Sequence, residues 1–175
     1  MRTRFIYAAV LTVAVGALTI AGYAAGKQMV KSDQMTGYQE TPGVFSTGTG
    51  SFSAEIDDDA QMITFELRYT GLSGPAAVSH IHFGNRFDAG GVSVFFCGGG
   101  GRPACPPGTT DEAVVTGTIT PANVIGPASQ GIGPGQFDRL VQAIRAGMTY
   151  ANVHTANFPA GEIRAQVNDR NQRQP

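Results

Sequence analysis

The chain has 175 residues, with 12 basic and 13 acidic side chains and a formal net charge of −1. Only 14% of residues are charged, 24 are glycine, and no basic run occurs anywhere. That composition excludes a nucleic-acid binder and favours one compact, turn-rich β domain with a real core over a helical or disordered chain.

Residues 1–25 open on the basic "MRTR" and continue through the uncharged "FIYAAVLTVAVGALTIAGYAA". This is the layout of a secretory signal, with small Gly22 and Ala24 at the cleavage position. The apolar run is also long enough to span a bilayer, so an uncleaved N-terminal anchor is the alternative. Either way the remainder is expected to be exported, to the periplasm or the cell exterior. Without Arg2 and Arg4 the balance becomes 10 against 13, a net of about −3.

Residues 26–33 read as a polar linker, and "MTGYQE" just beyond as a first short strand. "GSFSAEI" and "MITFELRYTGL" follow, joined by "DDDA", which reads as a solvated hairpin turn because its spacing is not that of an EF-hand loop. The second of these strands alternates clearly. Ile63, Phe65, Leu67 and Tyr69 interleave with Thr64, Glu66, Arg68 and Thr70, as a half-buried strand requires. "AVSHIHF" and "GVSVFF" are further strands, separated by "GNRFDAGG", and "EAVVTGTI" is another. The period then changes. "GQFDRLVQAIRAG" places Phe137, Leu140, Val141 and Ile144 at helical spacing, with Gly147 as the C-terminal cap. "YANVHT" and "GEIRAQV" close the domain as two strands around "ANFPA", and residues 169–175 form a polar tail.

The two cysteines, Cys97 and Cys105, lie in "FFCGGGGRPACPPG". In an exported chain such a pair reads as a disulfide, and the spacing fits neither a usual zinc site nor a redox CxxC. The chain also has only three histidines. His80 and His82 sit one residue apart in "VSHIHFG", so on a strand they share a face, roughly 7 Å apart at their backbones. His154 lies far away in "YANVHTANFPAGE". Two readings stand open for the trio: packed, hydrogen-bonded structural side chains, or ligands that converge on one ion at about 2 Å.

Taken in order, "GYQETPG", "SHIHFG", "GPGQFDRLVQAIRAGMTYANVHT" and "FPAGEIRAQV" resemble the CHRD domain, a family named after chordin and found in many exported bacterial proteins. The resemblance covers residues 34–168. It implies an all-β, Greek-key, immunoglobulin-like β-sandwich related to the copper/zinc superoxide dismutase fold, with about eight strands and one short inserted helix. It implies no defined activity. Those dismutases carry a His-x-His pair on a strand, but they also need a bridging histidine and further zinc ligands. With three histidines in all, a two-metal dismutase is excluded by count, and a single-ion site at His80, His82 and His154 survives.

Three imidazoles with an open position suit copper or zinc, and an exported setting without nearby thiols favours copper. Glu162 and Arg164 share a strand face and read as an ion pair that holds register. The functional alternative makes Glu162 a partner that orients a histidine ring, a role that Asn152 could also fill through its amide. There is no GxSxG elbow, P-loop or dinucleotide fingerprint, so no catalytic residue is assigned. Two functions remain in competition: a metal-binding module, or an exterior scaffold that binds protein or polymer and keeps its histidines for structure.

Overall fold

The structure is a computed structural model and describes residues 26–168. The expected signal or anchor and the polar tail lie outside the described residues. Nine strands, β1 (Lys27–Lys31), β2 (Met35–Thr36), β3 (Thr49–Asp57), β4 (Met62–Thr70), β5 (Ala76–Phe83), β6 (Gly91–Cys97), β7 (Ala113–Ile119), β8 (Thr149–Thr155) and β9 (Ile163–Val167), accompany one α-helix, α1 (Phe137–Arg145). All pairings are antiparallel, in the order β6-β5-β8-β9-β2-β3-β4-β7, with β1 added on β3. The two ends of this path, β6 and β7, come into contact, so the sheet nearly closes on itself.

The alternation in β4 is what turns the sheet into a sandwich. Ile63, Phe65, Leu67 and Tyr69 are all buried, and their neighbours Thr64, Glu66, Arg68 and Thr70 point outward. Phe65 meets Phe52 of β3 and Phe96 of β6 at ring-centroid distances of 6.4 and 4.7 Å, so the aromatic centre of the core joins the two halves. The aspartate turn forms as expected: Asp57 Oδ1 accepts the Ala60 N–H at 2.9 Å, and Gln61 takes φ +47 to close the hairpin. In α1, Phe137, Leu140, Val141 and Ile144 are all buried. Gly147 ends the helix at φ +72, where its N–H donates to the Ile144 carbonyl.

One expectation is overturned. Residues 26–33 are not a linker, because Lys27–Lys31 pair with Ser53–Asp57 over a full strand length and bury Val30. The sequence "KQMVK" offers a single inward apolar residue, too little pattern for a strand, and the free edge of β3 supplies the hydrogen bonds that the pattern does not announce.

The half built from β6, β5, β8 and β9 positions the histidines. Its inner face carries Ile81, Val94, Phe96, Ala151, Val153, Ile163, Ala165 and Val167 into the core. Its outer face carries His80, His82, Tyr150, Asn152, His154, Arg164 and Gln166, all of them buried too. Two loops cover that outer face. One links β2 to β3 and contains Glu40, and the other links β5 to β6 and spans residues 84–90.

Candidate metal centre

Strand register brings the three histidines together. His80 and His82 lie opposite Asn152 and Tyr150 of β8, and His154 lies opposite Val78, one step along the same face. Two bulges in the β5–β6 pairing, at Ser79/His80 and Ile81/His82, add twist where the histidine face needs re-aiming. Ring centroids are 4.4 Å apart for His80–His82, 4.5 Å for His80–His154 and 6.0 Å for His82–His154. One ring nitrogen from each comes within 4.8 Å of the others.

The hydrogen bonds assign the tautomers. His82 Nδ1 is 2.7 Å from the Gly90 carbonyl, and His154 Nδ1 is 3.0 Å from the Pro159 carbonyl. A carbonyl only accepts, so both Nδ1 atoms carry the proton and both Nε2 atoms keep a free lone pair. Those two Nε2 atoms, together with His80 Nδ1, are buried and without any hydrogen-bond partner. Burial of an unpaired polar atom costs about 1–3 kcal/mol. The domain carries that cost once on each ring.

Relative exposures of 5%, 9% and 7% for His80, His82 and His154 make the protonated forms expensive. Burial, and then the neighbouring imidazoles, push His80 down to about 2. Burial is also the first cause for His82, pushed down to about 4 against the opposing pull of the Gly90 carbonyl. His154 is lowered as well, by burial. At neutral pH all three rings are therefore uncharged, the form that binds metal.

The neighbours assigned to the histidines from sequence act elsewhere. Glu162 precedes β9, and Gly161 at φ +129 turns the chain before it, which breaks the alternation that would have aimed its carboxylate at a ring. Its oxygens instead accept from Ser46 Oγ at 2.7 Å, from Ser73 N–H and Oγ at 2.7 and 2.9 Å, and from Thr155 Oγ1 at 2.6 Å. Those bonds outweigh burial and hold its carboxyl below the usual range. Glu162 forms no ion pair with Arg164. Asn152 likewise turns away from the rings: its Nδ2 donates to Glu40 Oε1 at 2.7 Å and to the Ile163 carbonyl at 2.9 Å. Backbone carbonyls, not these side chains, orient the His82 and His154 imidazoles.

Two residues around the site, Tyr150 and Glu40, were not singled out in the sequence, and Arg164 was expected only as the ion-pair partner of Glu162. Tyr150 lies flat against His82, with centroids 4.7 Å apart and an interplanar angle of 9°. The Arg164 guanidinium covers the other part of this stack, 4.4 Å from the Tyr150 centroid. Glu40 Oε2 lies 3.9 Å from Arg164 Nε, and burial pushes its carboxyl up to about 7 despite the pull of Arg164 and the Asn152 bond. A Cβ at Gly161 would stand 2.8 Å from both Glu40 oxygens and from Asn152 Nδ2, so only glycine leaves room for this carboxylate.

The disulfide lies close by. Cys97 and Cys105 are bonded, with 2.01 Å between the sulfurs. The loop they close sets Gly99 and Gly100 against the Phe95 ring, and Phe95 meets His80 edge-on at 5.2 Å.

An all-β sandwich is the architecture the motifs implied, and the structure gathers the three buried histidines on its outer face. The CHRD domain matches residues 32–167, and the chain belongs to that family, an extracellular type of domain. No curated protein and no solved structure matches the chain, so the expected relation to the superoxide dismutase fold gains no structural neighbour. Among the described residues no helix is long and apolar enough to cross a membrane.

Proposed function

We propose that the domain is an exported, single-metal binding module whose ligands are His80 Nδ1, His82 Nε2 and His154 Nε2. The observation that carries this is the set of three buried, unpartnered nitrogens, one per ring, on histidines whose ligand atoms lie within 4.8 Å. An ion held at about 2.1 Å from each would draw them to about 3.4 Å apart in a tetrahedral array. Hydrogen bonding of the opposite nitrogen to a carbonyl is the usual way in which a ligating histidine is oriented, and His82 and His154 both have it.

Copper is favoured over zinc. Affinities of nitrogen sites rise to Cu²⁺ and fall again at Zn²⁺, and the only two cysteines are tied up in the disulfide. That bond also supports export, because it persists in oxidising compartments. The competing reading, an exterior scaffold for protein or polymer partners, draws on the exposed aromatics Tyr38, Phe45 and Phe87. It leaves the orphaned nitrogens without a purpose. Metal analysis of the tag-free exported protein, equilibrated with copper and zinc together, is the test. One copper per chain is expected, and a protein that retains neither metal would refute the reading.

A further inference from the structure

Arg164 is buried and lies 3.9 Å from the Glu40 carboxylate, yet its guanidinium makes its hydrogen bonds elsewhere. Its hydrogen bonds run to four oxygens on the two loops that cover the histidine face. From the β2–β3 loop it takes the Gln39 carbonyl and Thr41 Oγ1. From the β5–β6 loop it takes the Arg86 and Asp88 carbonyls, at 2.6 and 2.9 Å. The fork geometry of guanidinium serves several acceptors in one plane, which an ammonium cannot do.

From Arg164 two paths lead to one ring. Along the first, the Asp88 carbonyl fixes the loop two residues before Gly90, whose own carbonyl accepts the His82 Nδ1–H. Along the second, Arg164 lies over Tyr150, and Tyr150 stacks on His82. A crosslink joins the two, because the Gly90 N–H donates to Tyr150 Oη at 3.0 Å. The result is a closed circuit through Arg164, Asp88, Gly90, His82 and Tyr150. His154 lies outside it and takes its orientation from Pro159.

We propose that Arg164 is a positioning residue for His82, which fixes both the tautomer and the plane of that imidazole by clamping the 84–90 loop and Tyr150 around it. As a consequence, and resting on the reading of the three histidines as ligands, Arg164 sets the affinity of the site without touching the ion.

The test uses metal-free protein first, with His154 as the internal control. The buried Nδ1–H protons of His82 and His154 are followed by nuclear magnetic resonance in wild type, Arg164→Met and Arg164→Lys. Exchange of the His82 proton with solvent is expected to quicken at least about tenfold in both variants, while the His154 proton stays within about twofold. Cupric ion alone is then titrated, with a ten- to hundredfold loss of affinity expected in both variants, roughly that of other outer partners of metal ligands. Equal loosening of both histidines would reduce Arg164 to a general structural residue and overturn the proposal. So would wild-type behaviour in Arg164→Lys, because charge alone would then suffice. If Arg164→Met does not fold, the lysine variant decides the matter. A wild type that takes no copper, but whose His82 proton responds selectively, would uphold the positioning role and refute the metal reading alone.

Discussion

The two faces of the β6-β5-β8-β9 half are drawn from alternate residues of the same strands and are both buried, yet they are held in opposite ways. The inner face is aliphatic, and Ile81, Ala151, Val153 and Ala165 are fully buried there. Its stability is non-directional burial, about 25 cal/mol per Å² of apolar surface. The outer face buries three histidines, an arginine, an asparagine and a glutamine, and each must find partners in the right direction. Gln166 does so with the Gly84 and Gly147 carbonyls, Asn152 with Glu40 and Ile163, and Arg164 with the two loops. Of these six only the histidines are left short; the other buried unpartnered oxygens of this half, Ser93 Oγ and Thr149 Oγ1, belong to neither the trio nor its covering loops. On this face the three histidines hold their unpartnered nitrogens close together, the feature on which the proposed metal site rests.

Neighbouring residues on β5 give the strongest way to break this contrast. Ile81→Ala removes a fully buried core side chain and is expected to cost about 2–5 kcal/mol in denaturant unfolding. His80→Ala, one residue away, also removes an orphaned nitrogen, so in metal-free protein its cost is expected to be less than half as large. Equal costs would mean that the two faces contribute to stability alike.

Reduction of the disulfide comes next. Loss of the Cys97–Cys105 link is expected to lower stability by about 2–3 kcal/mol in the chain-entropy model. Mass spectrometry of the exported protein should show a gain of about two daltons on reduction, for one bond. Two free thiols in that material would contradict both the bond and the compartment argument.

The third contrast is in pH, and its sign separates two buried groups. His82 is pushed down to about 4 when folded, against an ordinary value of 6.5. The stability gained from its neutral ring is thus fully present above about 6.5 and is lost as pH falls through 4. Glu40 runs the other way. Its folded value is raised from 4.5 to about 7, so its contribution is complete below about 4.5 and is lost as pH rises through 7. Unfolding curves of metal-free His82→Phe and Glu40→Gln should each lose one of these opposed slopes. A variant that keeps the wild-type profile would show that its group does not titrate with folding.

Much of this contrast is readable in the chain, and the unreadable part has a common cause. The alternation of β4, the helix stripe of Phe137, Leu140, Val141 and Ile144, and the cysteine pair are local patterns, and local patterns survive folding. The shared face of His80 and His82 is local in the same sense. What is not legible depends on chain segments far apart. Glu40 meets Asn152 across 112 residues, and Arg164 meets Thr41 across 123. The acceptors that orient His82 and His154 are backbone carbonyls, which no side-chain pattern announces. Glu162 misled because a period-2 reading began the strand two residues too early, at the turn residue Gly161.

The central claim is that the outer face is built around one ion held by three rings from two strands. Thermal unfolding of wild type and His154→Ala, each with added cupric ion and then with chelator, tests it most directly. A ligand bound only by the folded state adds about 2.7 kcal/mol at a hundredfold excess over its dissociation constant. Wild type should therefore melt several degrees higher with copper and return to its metal-free value with chelator. His154→Ala should melt at one temperature throughout. Copper stabilisation that survives intact in His154→Ala would contradict the three-histidine site.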